Sequence, residues 1–243
     1  MSYVLILGAS SDIANAVAHR YAKAGYNLFL AGRNVQDLSL SAVDIHIRYQ
    51  VDVEAVEFDA LAFSSHKNFY SSLKEKPLGV ICAFGYLGNQ ENAEYDFDET
   101  YKILDTNFIG CVSILNIIAN DFSIRNFGFI VGISSVAGER GRKKNYMYGS
   151  AKAGFTAYLS GVRNRLFIKG VQVLTVNPGF VYTKMTEGLE LPAKLTAHPK
   201  EVAEDIFAAQ QQGKDVLFTK WFWKWIMLII KLIPEKIFKK LSV

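Results

Sequence analysis

The chain is poor in several residue types, and each shortage closes off a class of explanation. Its 243 residues include two cysteines, Cys82 and Cys111, both inside apolar runs. That pattern does not build a disulfide framework; it reads as buried free thiols in a reducing, cytoplasmic compartment. The four histidines, His19, His46, His66 and His198, are scattered without the spacing of metal ligands, so no metal centre is expected. There is no internal repeat, no low-complexity segment and no linker that would divide the chain. The N-terminus, Met1-Ser2-Tyr3, lacks a basic leader and a long apolar stretch, so no signal peptide is expected. Excess charge is nearly absent outside one region. The formal net charge is +4, but residues 220–243 hold six lysines against Glu235, which leaves the other 219 residues at −1. The basicity therefore belongs to a tail, and a nucleic-acid partner is not expected.

Half of the residues are hydrophobic, enough for a substantial core. Val4-Leu5-Ile6-Leu7 is a wholly apolar run of the kind buried on both faces of a parallel sheet. The turn Gly8-Ala9-Ser10-Ser11-Asp12-Ile13-Ala14 follows, then a helical pattern to Ala24 with Gly25 as its stop, and Asn27-Leu28-Phe29-Leu30 reads as a second strand. Helical signals recur at about 35–49, 65–74, 99–120, 145–168 and 199–212. Strand-like runs alternate with them at about 53–58, 78–82, 127–133, 171–176 and 215–218. Such alternation predicts an α/β fold: a Rossmann-type, doubly wound parallel sheet of about seven strands with helices on both faces. The expected division is one dinucleotide-binding and catalytic domain over 1–219 and a hydrophobic, basic tail over 220–243.

Chemistry concentrates at Tyr148-Gly149-Ser150-Ala151-Lys152. Residues at i and i+4 share a helix face, so Tyr148 and Lys152 point the same way. A nearby ammonium favours the phenolate, bringing a tyrosine from about pKa 10 toward useful acid/base work. Ser135, thirteen residues upstream at the end of the run Phe129–Ile133, is placed to donate to a carbonyl oxygen as charge develops. At the first strand's end, Gly8 with Ser10 and Ser11 suits backbone approach to a pyrophosphate at a helix N-terminus. Asp12 is the expected N-cap of that helix. At the end of strand two, Ala31-Gly32-Arg33 lacks the acidic residue that would bind the ribose 2′-hydroxyl of NAD; Arg33 offers a guanidinium to a 2′-phosphate, which favours NADP(H). Asp59, closing strand three, is a candidate acceptor for the adenine amino group; a plain strand-end Asp is the alternative.

These residues together resemble the short-chain dehydrogenase/reductase family over about 1–218. Gly8-x3-Asp12-x-Ala14 is similar to its glycine-rich turn, and Cys82-Ala83-Phe84-Gly85 stands where the family usually has Asn-Asn-Ala-Gly. Asn107 in Thr106-Asn107-Phe108-Ile109-Gly110 matches its helix asparagine. Ser135 with Val136-Ala137-Gly138, Tyr148-x3-Lys152, and Asn177-Pro178-Gly179 with Thr183 complete the set. The resemblance implies that Tyr148 donates the proton, Ser135 orients the carbonyl, Lys152 lowers the tyrosine pKa and holds the nicotinamide ribose, and Asn107 supports a water leading protons to Lys152. It also implies a cofactor-binding set of Gly8, Ser10, Ser11, Asp12, Ile13, Arg33, Asp59, Gly85, Tyr148, Lys152, Pro178, Gly179, Val181 and Thr183, and a homo-oligomer through the helices at 99–120 and 145–168. With Cys82 and Ala83 in place of the usual asparagines, the fourth strand's end must be held in another way.

Two features lie outside that set. Arg140-Gly141-Arg142-Lys143-Lys144 runs between Ser135 and Tyr148, so it should border the substrate mouth, with Arg142 and Lys143 as candidates to hold a phosphate or other anion. A solvated basic loop is the alternative. Further on, eleven of the thirteen residues Trp221–Ile233 are apolar. That is short of the roughly 20 residues that span a bilayer, and its tryptophans and lysines suit an amphipathic helix lying in the headgroup region, peripheral to the inner face of a membrane. A subunit interface or a lid over the protein's own cleft is the alternative. The tail makes the chain similar, within the family, to bacterial reductases of polyprenyl-phosphoryl keto-sugars of the decaprenylphosphoryl-2-keto-ribose type, which implies a lipid-linked sugar substrate. The rival substrates are steroid, fatty or sphingoid ketones. A rival of another class is a nucleotide-sensing scaffold without turnover.

Overall fold

The computed structural model describes residues 2–241; Met1 of the expected domain and Ser242 and Val243 of the tail lie outside the described residues. Seven parallel strands form one sheet in the order β3 (Val53–Glu57), β2 (Asn27–Gly32), β1 (Tyr3–Leu7), β4 (Gly79–Cys82), β5 (Phe129–Ile133), β6 (Gln172–Pro178) and β9 (Val216–Thr219). Every residue of β1 is buried, as a wholly apolar run at the centre of such a sheet requires. Its side chains alternate between two cores. Val4 and Ile6 meet Ala14, Val17 and Tyr21 of α1 (Asp12–Lys23), with Leu38 and Ile45 of α2 (Val35–Tyr49) and Val202 and Ile206 of α8 (Pro199–Gln211) in the same layer. Leu5 and Leu7 face the opposite layer, built from α3 (His66–Ser72), α6 (Gly110–Arg125) and α7 (Tyr146–Phe167). The expected doubly wound architecture is borne out.

The strand order reverses between β1 and β4, and a crevice opens there beyond the carboxyl ends of the strands, where open α/β sheets bind ligands. The helix expected at 99–120 is interrupted. A short α4 (Gln90–Tyr95) precedes α5 (Phe97–Leu104), and one π turn, Asp105–Ile109, joins α5 to α6. Among the described residues, Phe97–Arg125 is the one helical stretch long and apolar enough to cross a membrane. Its apolarity has a nearer cause: Ile114, Leu115, Ile118 and Phe122 are fully buried against the sheet.

After β6 the chain makes a two-stranded parallel pair, β7 (Phe180–Val181) and β8 (Thr196–Ala197). The tail forms α9 (Trp223–Leu232) and α10 (Glu235–Phe238). Residues 223, 226, 227 and 230 lie at i, i+3, i+4 and i+7, so they share one face. That face packs on Val136, Phe180, Leu195 and Phe218. The inner face of the tail therefore packs behind the cleft wall on Val136 and Phe180, and no described tail residue lines the cleft itself.

Candidate active site

The crevice is a cavity of about 460 Å³ whose lining includes Ser135, Tyr148, Lys152, Arg142 and every residue of the expected cofactor set. Asn107 and Lys143 do not line it.

The turn after β1 is shaped by Gly8. Its φ is +81°, and an added Cβ would come within 2.6 Å of the Phe84 nitrogen. Only glycine permits both the turn and the approach of the two strand ends. The N-cap of α1 is Ser11, whose Oγ accepts from the Ala14 N–H, and this corrects the expectation for Asp12. Asp12 is the first helical residue, and its Oδ2 accepts from the Lys184 N–H at 2.7 Å, tying the turn to the segment after β7. The missing asparagines are compensated from two sides. The Ser11 hydroxyl donates to the Ala83 carbonyl at 3.3 Å. The Asn107 amide, fully buried, accepts from the Tyr86 N–H and donates to the carbonyls of Tyr86 and Ile103 at 2.6 and 2.8 Å. The side chain expected to support a water thus braces the loop after β4, and the π turn is what aims it there. π turns of this kind are frequent at functional sites.

Arg33 is exposed at the rim, lines the cavity, and its guanidinium makes no hydrogen bond or ion pair among the described residues. A free guanidinium at the end of β2 fits a 2′-phosphate. The Gly32 next to it also has a packing reason, since an added Cβ would lie 3.1 Å from Leu38 Cδ1. Asp59 accepts from the Leu61 N–H with Oδ1. Its main chain is fixed by a residue that no motif marks: buried His66 bonds the Asp59 carbonyl through Nε2 at 3.0 Å and the Ser113 hydroxyl through Nδ1.

On the other side of the cleft, Ser134 and Ser135 have separate roles. Ser134 is buried and spends its hydroxyl on the Lys152 carbonyl and on Thr156. The Ser135 Oγ accepts from the Ala137 N–H at 3.1 Å while facing the cavity, which leaves its proton free to donate. The Lys152 ammonium is almost wholly buried. It donates to the Ile133 carbonyl at 3.0 Å and lies 5.7 Å from the centre of the Tyr148 ring, within cation–π range. Gly85 completes the floor, where an added Cβ would meet Asn107 Oδ1 at 2.9 Å and Lys152 Nζ at 3.7 Å. A serine proton, a phenol and an ammonium thus converge on one cavity, an arrangement able to protonate a carbonyl oxygen or accept the proton of an alcohol.

The basic loop does not act as one patch. Lys143 and Lys144 are exposed, and Lys143 lies outside the cavity, contrary to expectation. Arg140 serves the tail: its guanidinium donates to the carbonyls of Ile230 and Ile233 at the end of α9, pairs with Glu235 at 2.8 Å and stacks on Phe238. Glu139, beside it, holds Lys231 at 2.8 Å. Arg142 alone of the loop's cations turns into the cleft.

A family model for short chain dehydrogenase matches residues 2–193. An uncharacterized oxidoreductase of Mycobacterium tuberculosis (strain ATCC 25618 / H37Rv) is 36% identical over 98% of this chain and 96% of its own length. Another, encoded in the mprA 5′ region of Streptomyces coelicolor, is 30% identical over 99% of this chain and 96% of its length. Among solved structures, a short-chain dehydrogenase from Sphingobium yanoikuyae in complex with NADPH superposes with a TM-score of 0.84, 20% identity and 97% of each chain covered.

Proposed function

The chain belongs to the short-chain dehydrogenase/reductase family and is an oxidoreductase, and from that premise we propose that it transfers hydride between NADP(H) and a ketone or secondary alcohol. The observation that carries the reaction is the convergence of Ser135, Tyr148 and Lys152 on one cavity. Ser135 and Tyr148 hold the substrate oxygen, Tyr148 moves its proton, and the Lys152 ammonium stands beside the Tyr148 ring. NADP(H), when bound, supplies or accepts the hydride at the carbon. Gly8, Ser10, Ser11, Asp12 and Ile13 would hold its pyrophosphate at the start of α1, Asp59 its adenine, and Pro178, Gly179, Val181 and Thr183 its nicotinamide end. Free Arg33 supports NADP(H) over NAD(H). Fluorescence titration with NADPH and NADH tests this. Wild type should prefer NADPH, and Arg33→Ala should erase the preference, a loss of about 1.5–3 kcal/mol for one charge-assisted contact. NADH preference, or no change in Arg33→Ala, overturns it.

The substrate we propose is lipid-linked, with the tail seating the enzyme peripherally on an anionic, inner membrane surface and residues 1–219 acting as one catalytic domain. The outer face of α9 supports this: Trp225, Leu228, Ile229 and Leu232, again at i, i+3, i+4 and i+7, are all exposed, Ile229 at 65% and Leu232 at 73%. Lys231 and Glu235 are spent on Glu139 and Arg140, so the exposed charges left in the described tail are Lys224, Lys236, Lys239 and Lys240, with no exposed unpaired acid. An isologous dimer through this face would gather the lysines of both copies at one interface with no unpaired acid of the described tail to offset them. The family's usual homo-oligomer is better sought through α5–α6 and α7.

A further inference from the structure

Two polar atoms in the cleft wall are buried without a hydrogen-bond partner among the described residues: Nε of Arg142 and Oδ1 of Asn145. Both residues line the cavity, three positions apart on the connection from β5 to α7. One atom is a donor and the other an acceptor, yet they are not bonded to each other. The backbone around them is satisfied. The Asn145 N–H donates to the Arg142 carbonyl at 3.1 Å, and the Asn145 carbonyl accepts from the Gly149 N–H at 2.8 Å. Asn145 precedes α7, but its side chain caps nothing. Nor is there a protein anion for Arg142 among the described residues. The carboxylates lining the cavity, Asp12 and Asp59, stand at the nucleotide end and already accept backbone N–H groups, and Glu139 is held by Lys231. Burial pushes the Arg142 guanidinium below its ordinary range. A buried charged donor and a buried amide oxygen left open carry a standing cost that a bound ligand would remove.

We propose that Arg142 and Asn145 form a substrate subsite for a hydroxylated ketone bearing an anionic group, with Arg142 donating to the anion and Asn145 accepting from a hydroxyl. This rests on the oxidoreductase reading and narrows it: a sugar-like keto-phosphate answers both atoms, whereas a steroid or fatty ketone without an anionic group leaves Arg142 unanswered.

The test is calorimetric titration of the NADPH-saturated protein with inorganic phosphate, on wild type, Arg142→Gln and Arg142→Lys. Expected is phosphate binding weakened roughly tenfold or more in Arg142→Gln, with Arg142→Lys between. In turnover assays, Arg142→Gln should raise KM for dihydroxyacetone phosphate more than for dihydroxyacetone, and Asn145→Leu should erode the preference for dihydroxyacetone over butanone. Phosphate binding that is absent in wild type, or equal in wild type and Arg142→Gln, overturns the subsite. Failure of the wild type to bind NADPH overturns the parent reading instead. The titration then runs without nucleotide on the Arg33→Ala background, where Arg142 is still what is read.

Discussion

Gly179 lies so close to Trp223 that an added Cβ would come within 1.9 Å of the indole nitrogen. The same nitrogen donates to the Leu195 carbonyl at 3.1 Å. The segment expected to hold the nicotinamide, the loop before β8 and the tail helix therefore meet at one side chain. Whatever moves α9 moves a wall of the cleft.

Gly179→Ala should then act as a wedge. Overpacking of this kind costs about 1–3 kcal/mol, and here it should fall on the tail, since the backbone of β6 and β7 is held in sheets. The expected result is a lower melting temperature, faster tryptic cleavage after Lys220 and Lys224, and a raised KM for nucleotide. Trp223→Leu removes the obstructing ring, so the double variant should lose less stability than the two single losses added together. Strict additivity would mean that the two residues do not press on each other.

How much of this was legible in the sequence depended on the range of the forces involved. Apolar periodicity is local, so the seven strands of the sheet and the long helices could be read from it, and the spacing Tyr148-x3-Lys152 carried its own geometry. Ser135 could be read from its place after the fifth strand, whereas only the hydrogen bonds of neighbouring Ser134 to Lys152 and Thr156 show that Ser134 is not the free hydroxyl. What stayed hidden depends on partners far away in the chain. Arg140 looked like part of a substrate-facing patch because its partners, Ile230, Ile233 and Glu235, lie about ninety residues on. Asp12 looked like a cap because Lys184, which takes its carboxylate, is 172 residues away. His66 had no motif to mark it. The tail's composition was legible, but its division into a packed face and an open one was not, since both faces are apolar.

A pH effect is expected from His19, which sits on α1 beside Tyr49 and Asp44 of α2, with Arg48 and Lys200 also near. Burial lowers its pKa in the folded protein, and Arg48 and Lys200 act in the same direction, against Asp44. The unfolded chain, with an imidazole pKa of about 6.5, therefore binds more protons than the folded one near and below that pH. Stability should fall as pH drops through this window and level off once the folded-state histidine is also protonated, with a slope of at most about 1.4 kcal/mol per pH unit. Melting temperatures between pH 5 and 8 check this. His19→Gln should flatten part of the acid-side decline, and identical profiles would assign that decline to other groups.

The open face of α9 gives the membrane proposal its cleanest test. Truncation at Lys220 would be a poor one, because it also strips Trp223 and Met227 from Val136 beside Ser135 and would damage the cleft whether or not lipid binds. Trp225→Ser/Leu228→Ser/Ile229→Ser alters exposed positions and leaves the packed face intact. Wild type should sediment with vesicles containing phosphatidylglycerol and much less with phosphatidylcholine alone, and Trp225 fluorescence should shift to the blue. The triple variant should lose most of that binding. Lys236→Gln/Lys239→Gln/Lys240→Gln should weaken it by about 1 kcal/mol per charge and remove most of its salt dependence. Binding that the triple variant retains would place the lipid contact elsewhere. Self-association in wild type that the triple variant loses, with no vesicle binding by either, would assign the face to a second copy of the chain.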